Sequence, residues 1–237
     1  MNKIIKKNWK KVSLHQMDDK WQVLIDGRPI KSPKGIILNL HFDLAKEIFK
    51  EWDKIEDKVS PSEMPFFSFV VTTFDRVKPQ KEFVINQLIS IFNKDLICYW
   101  EDTNSDLKNM HIEEWKPLIK WFEDKLKIKL VVTEGIIPVN QKELSLMKVK
   151  KLLKQFDEFY ISSLYALTSV SGSLVLPLAL FYEEITLKEF YKKSLLDELY
   201  QSKRWGEDKD ASQRRENIFY QFKQAADFIK LIKKINS

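Results

Sequence analysis

Trp21-Gln22-Val23-Leu24-Ile25-Asp26-Gly27-Arg28-Pro29-Ile30 is the stretch that separates this chain from an all-helical protein. A run rich in β-formers enters Asp-Gly, a pair that tolerates positive φ at a two-residue hairpin turn, and a return strand follows. Lys34-Gly35 marks a second turn, ahead of an apolar segment at 36–40. Working outward, residues 42–55 carry Ala45, Ile48, Phe49, Trp52 and Ile55 at helical spacing, so they predict an amphipathic helix. Glu51 and Asp53 flank Trp52 and read as solvated while Trp52 packs inward. Ser60-Pro61 and Met64-Pro65 break regular structure. Residues 66–74 are apolar, and periodicity does not decide between strand and helix. A helix is expected over 83–93, a short strand over 96–100 and a helix over 112–127. Pro117 must sit in the first turn of that last helix or kink it. Residues 130–132 are β-like, and 135–138 close this half.

From Gln141 onward the pattern is helical. Thr186-Leu187-Lys188-Glu189 has the form of a capping box that opens the helix carrying the 197–208 stretch. Residues 210–234 form a long amphipathic pattern with Ile218, Phe222, Ala225, Ile229 and Ile232 on the buried side. The expected fold class is therefore α+β: an N-terminal α+β domain with antiparallel strands over 1–140, then an all-α helical domain over 141–237.

Composition excludes several kinds of function. Five glycines leave little material for a phosphate loop, and neither G-x-x-x-x-G-K-[ST] nor G-x-G-x-x-G occurs. Cys98 is the only cysteine, and His15, His41 and His111 are far apart, so no disulfide, metal site or cofactor is expected. Cys98 lies in an apolar run and reads as a buried small hydrophobe. His111 with Glu113-Glu114 suggests acid–base chemistry of a hydrolase, but the same residues read better as an exposed helix start with acids complementing the dipole. Residues 1–34 hold nine Lys or Arg against three Asp, which accounts for the whole net charge of +6. That excess reads as a solvated N-terminus; the competing reading is a basic RNA-binding module. Residues 159–182 carry no charge over 24 positions, long enough to span a bilayer. Their serines, and the break at Ser171-Gly172-Ser173, favour a buried helical hairpin, and no membrane span is expected. No secretory or transit segment is visible. The expected location is the bacterial cytoplasm, or the mitochondrial matrix for a eukaryotic source.

The stretch Asp197-Glu198-Leu199-Tyr200-Gln201-Ser202-Lys203-Arg204-Trp205-Gly206-Glu207-Asp208 is the candidate site. Glu198, Gln201 and Trp205 share one helix face, with Leu195 and Leu199 on a neighbouring stripe fit for burial. Gly206 fits the left-handed position that closes a helix. An acid, an amide and a large aromatic make a poor catalytic set but a fitting contact set for another protein. Glu198 reads either as a contact or as a surface carboxylate paired with Lys193 or Arg204. Trp205 reads as contact or core, and Asp208 as part of the site or as a cap of the last helix.

Five segments in order carry a family resemblance: 23–33, Glu51-Trp52-Asp53 with 61–65, Asp95-Leu96-Ile97-Cys98-Tyr99, Ser171-Gly172-Ser173-Leu174, and 197–208. Together they resemble the chaperone family that assembles the F(1) sector of ATP synthase, in the type that escorts the α subunit. Pro177 and Leu199 depart from that family's pattern, which expects continuous helix at the first and a polar residue at the second. The resemblance implies a two-domain α+β and helical protein, no enzymatic activity and no cofactor. It also implies binding of the unassembled α subunit, whose β-facing surface is shielded until assembly. By the resemblance, Glu198 is the acid that carries function; with the shared helix face, the expected partner-binding residues are Glu198, Gln201, Trp205 and Asp208, with no nucleic acid expected and a monomeric free protein.

Overall fold

The structure, a computed structural model, describes residues 5–135 and 137–236. Antiparallel strands with helix come first and a helical remainder follows, in the order the hydrophobic pattern predicts. Residues 1–4 of the Lys-rich segment, and residue 136 of the expected 135–138 turn, lie outside the described residues.

The chain forms two compact units. The first holds the chain up to Lys81, Glu158–Ser163 and the chain from Asp227 on; the second holds Glu82–Asp157 and Leu164–Ala226. The division therefore does not fall at residue 140: the helices of 82–157 group with the C-terminal helices, where their apolar faces find partners.

In the first unit, β1 (Ile5–Lys6) pairs antiparallel with β5 (Lys58–Val59). Strands β2 (Val12–Met17), β3 (Lys20–Ile25) and β4 (Arg28–Pro29) make an antiparallel sheet in that order. The Asp26-Gly27 turn joins β3 to β4 with φ of 47° and 78°, the positive values that this pair tolerates. Asp26 does more than turn the chain, since its carboxylate accepts the backbone N–H groups of Lys10 and Lys11. Segment 36–40 contributes isolated bridges, Lys31 to Ile37 and Trp21 to Leu40. Helix α1 (Phe42–Asp53) buries Leu44, Ala45, Ile48 and Trp52. The Trp52 ring lies 5.2 Å from both Trp9 and Phe67.

The ambiguous 66–74 segment is helical: α2 (Pro65–Thr72) runs into a single π-helical turn, Thr73–Val77. Two carboxylates explain why. Glu51 accepts the N–H groups of Phe66 and Phe67 at 2.7 and 2.8 Å, so it satisfies orphan donors at the start of α2. Asp75 accepts from the Ser32 hydroxyl at 2.5 Å and from the Lys34 N–H at 3.2 Å, which ties the 31–34 loop to the π turn. Glu51 is thus a half-buried cap and not the solvated flank of Trp52. Burial pushes its carboxyl up to about 7, against the two N–H bonds from Phe67 and Phe66 that favour the charged form.

The second unit begins with α3 (Lys81–Phe92), then β6 (Tyr99–Trp100), which continues a short 3-10 turn and not a longer strand. Helix α4 (Asp106–Leu126) follows, then β7 (Thr133–Glu134), which pairs parallel with β6. Helices α5 (Glu143–Lys154), α6 (Glu158–Ser171), α7 (Val175–Phe181), α8 (Leu187–Ser194), α9 (Leu196–Trp205) and α10 (Lys209–Asn236) complete the order. Pro117 lies well inside α4 and not in its first turn. Pro177 is the third residue of α7, within the first turn, where an N–H would have no intrahelical acceptor. The uncharged run forms two short helices broken at Ser171-Gly172-Ser173; among the described residues no helix is long and apolar enough to cross a membrane.

Asp95 organises this unit. It is fully buried, and its Oδ2 accepts the N–H groups of Leu174 and Val175 at 2.7 and 3.1 Å. Beside it the Leu96 N–H donates to the Gly172 carbonyl at 3.0 Å. Burial pushes the Asp95 carboxyl up to about 6, opposed by hydrogen bonds from Ser173, Val175, Leu174 and Ile97. Segments 95–99 and 171–174, distant in sequence, are thus one hydrogen-bonded joint. Cys98 is buried in the same place, and burial pushes its thiol up.

Candidate functional site

The Thr186–Glu189 capping box forms as expected: the Thr186 hydroxyl accepts the Glu189 N–H, and Glu189 accepts the Thr186 N–H at 2.7 Å. The helix it opens is α8, however, which stops at Ser194, and the 197–208 stretch sits on the separate helix α9. The shift changes the stripes. Leu196 is the buried residue of α9, whereas Leu195 and Leu199 are only half-buried.

Glu198 faces α10. Its carboxylate pairs with Arg214 and with Nη1 of Arg215 at 3.3 Å. Arg215 also donates from Nη2 to Glu207 at 2.6 Å. With Arg215 only 5% exposed, this chain of four charges is what permits a cation at a buried position. The partners expected for Glu198 are engaged elsewhere. Lys193 pairs with Glu114, and Arg204 donates to the Tyr200 hydroxyl at 3.1 Å. Asp208 accepts the Ala211 N–H at 3.0 Å and so caps α10. Gly206 has φ of 96° and ψ of 165°, a region open to glycine but distinct from the left-handed helical well expected for it.

Gln201 and Trp205 face solvent. Trp205 is 77% exposed, more than any other large apolar side chain among the described residues, so it is not core. The Arg204 guanidinium lies 5.5 Å from its ring centroid. The sequence-selected quartet therefore divides: Glu198 and Asp208 hold α9 and its exit in place, while Gln201 and Trp205 are presented outward.

His111 belongs to the support of the same helix. It is buried and stacks on Trp115 with centroids 4.2 Å apart, because α4 starts at Asp106 and 111–114 is not the exposed helix start expected. Its Nδ1 accepts the Glu101 N–H at 3.0 Å, so Nε2 carries the proton and donates to Asp197 at 2.6 Å. Trp115 Nε1 donates to the Lys193 carbonyl at 3.0 Å. Both imidazole nitrogens are thereby hydrogen-bonded within the protein, and Cys98 is sealed in core. Arg214 and Arg215 escaped the sequence reading. The signal was present: Arg215 stands on the stripe of Ile218, Phe222 and Ala225, where a cation needs a buried acid.

Comparison with known proteins agrees with this non-catalytic geometry. The profile of the family described as ATP12 chaperone protein matches residues 6–123. The mitochondrial protein atp12 of Schizosaccharomyces pombe is 26% identical over 216 residues, covering 86% of this chain and 74% of that protein. The crystal structure of Atp12 from Paracoccus denitrificans superposes with a TM-score of 0.88 at 30% identity, over 95% of this chain and 97% of that one. The Atu1473 protein of Agrobacterium tumefaciens gives 0.90 at 26% identity, over 97% and 87%. The fold agrees along nearly the whole chain, and the family profile covers its first half: this chain belongs to the ATP12 family of chaperones for assembly of the F(1) sector of ATP synthase, which are not enzymes.

Proposed function

We propose that this chain binds the unassembled α subunit of the F(1) sector and covers its β-facing surface until a β subunit replaces it. The observation that carries the reading is Trp205, held 77% exposed at the end of a helix that ion pairs and a buried histidine fix in place. A subunit awaiting its partner displays apolar surface that aggregates unless covered. A rigid aromatic beside Gln201 supplies apolar contact area at low entropic cost, and the polar surroundings keep the complex reversible. Gln201 and Trp205 meet the client; Glu198 and Asp208 act by holding α9 and α10 in register. The chain acts as a monomer, in the cytoplasm of a bacterium or the matrix of a mitochondrion.

The test is suppression of aggregation. At one-to-one stoichiometry the purified chain is expected to keep isolated F(1) α subunit in solution, read by light scattering, without ATPase turnover. Scattering equal to that of α subunit alone overturns the reading.

A further inference from the structure

A groove of about 610 Å³ runs between α4 and α9, lined by Asp106, Met110, Leu199, Tyr200, Lys203 and Arg204. Its floor is apolar, from Met110, Leu199 and the Tyr200 ring, all half-buried. Its rim is charged: Lys203 and Arg204 are exposed cations on one side, and Asp106 is the single acid. The volume falls in the range of about 300–1,000 Å³ typical of concave binding sites.

The two walls are fixed to each other at the level of the groove. His111, next to Met110, donates to Asp197, two residues before Leu199. The stacked Trp115 reaches the Lys193 carbonyl, and Lys193 returns to Glu114. A cleft whose walls are tied by part-buried hydrogen bonds costs little ordering on binding. Trp205, the residue after Arg204 of the rim, is exposed. A small molecule would need the cavity alone. A polypeptide that fills the groove also covers the surface beyond it.

We propose that this groove is where the α subunit seats one acidic, apolar-centred segment: a large apolar side chain enters between Met110 and Leu199, and flanking carboxylates meet Lys203 and Arg204. The proposal rests on the client reading above and adds the recognition chemistry. Cations outnumber acids two to one on the lining, so a carboxylate-bearing segment is favoured over a basic one. Asp106 then accepts an N–H from the same segment and fixes its direction.

The experiment measures affinity for isolated F(1) α subunit, together with suppression of its aggregation, for the full chain and two double variants. Lys203→Glu with Arg204→Glu reverses the rim. Lys148→Glu with Lys151→Glu makes the same charge change on α5, outside the groove. All four side chains are exposed, so circular dichroism and melting temperature are expected to match the parent. The rim variant is expected to bind at least tenfold more weakly and to lose protection, while the α5 variant keeps both. Added salt is expected to weaken the parent more than the rim variant. Parent-like binding by the rim variant overturns the groove while leaving the chaperone reading intact. Equal losses in both variants also overturn it, since net charge alone would then explain them. Failure of the parent itself to bind the α subunit overturns the client reading, and the groove's occupant with it.

Discussion

Two acidic positions of the second unit, both inside family-like segments, do opposite work. Asp95 is fully buried and spends its oxygens on the N–H groups of Leu174, Val175 and Ile97. Glu198 lies half-buried in the first turn of α9 and balances two arginines. The first closes a joint between 95–99 and 171–174; the second steadies a face turned to solvent. A sequence motif therefore has no single meaning in this fold: burial decides whether a carboxylate caps backbone inside the protein or balances cations near its surface.

The comparison breaks most forcefully at Asp95. Asp95→Ala strands buried N–H donors and opens a void, and is expected to cost about 4 kcal/mol of stability in urea titration. Client protection should fall only in proportion to the fraction unfolded. A loss below 1 kcal/mol would place Asp95 with the surface acids and undo the contrast.

The pH dependence sharpens the same contrast from the first unit. Glu51, like Asp95, caps a helix, from a half-buried position, and burial raises its carboxyl from 4.5 to about 7. The folded state therefore holds the proton more tightly than the unfolded chain. The resulting stabilisation is complete below about pH 4.5 and is lost as pH rises through about 7, a change on the order of 3 kcal/mol. Glu51→Gln removes this titration. Parent stability minus variant stability, measured at several pH values, should fall from pH 5 to pH 8; a difference that rises over that range would contradict the burial account.

These caps also mark the limit of what was legible. The Asp26-Gly27 hairpin, the α1 stripe and the long terminal helix are local patterns of period two or 3.6, and they are found where the pattern puts them. The 66–74 segment was undecidable because its helix starts on a carboxylate fifteen residues away. The 140 boundary failed for the same reason in larger form, since Glu158–Ser163 and the chain from Asp227 join the N-terminal unit through contacts that no local window contains. At the candidate site, spacing alone grouped Glu198 with Gln201 and Trp205. The partners that turn Glu198 toward α10 lie sixteen and seventeen residues downstream.

Glu198→Lys tests the surface side of the comparison at intermediate size. A third cation beside Arg214 and Arg215 should loosen the junction of α9 and α10, lowering the melting temperature by roughly 3–5 °C with helical circular dichroism retained. α-Subunit protection should weaken along with it. Glu198→Gln should do less of both, because the amide still accepts from one arginine. A melting temperature identical to the parent's, with protection lost, would move Glu198 from support to direct contact.

The smallest effect on stability belongs to Trp205, and it bears most directly on function. With 77% of its surface exposed, Trp205 buries little area in the free protein, so Trp205→Ala should change stability by less than about 0.5 kcal/mol. If the ring is a client anchor, its removal should still weaken α-subunit binding by about 2 kcal/mol, some thirtyfold in affinity. Trp205→Phe, which retains an aromatic face, should recover part of that loss. The separation of the two readouts is the point: Asp95→Ala lowers binding by lowering the folded population, whereas Trp205→Ala lowers binding with the fold untouched. A Trp205→Ala protein that binds as tightly as the parent would remove the aromatic from the contact surface, leaving α9 only the groove beside it to offer.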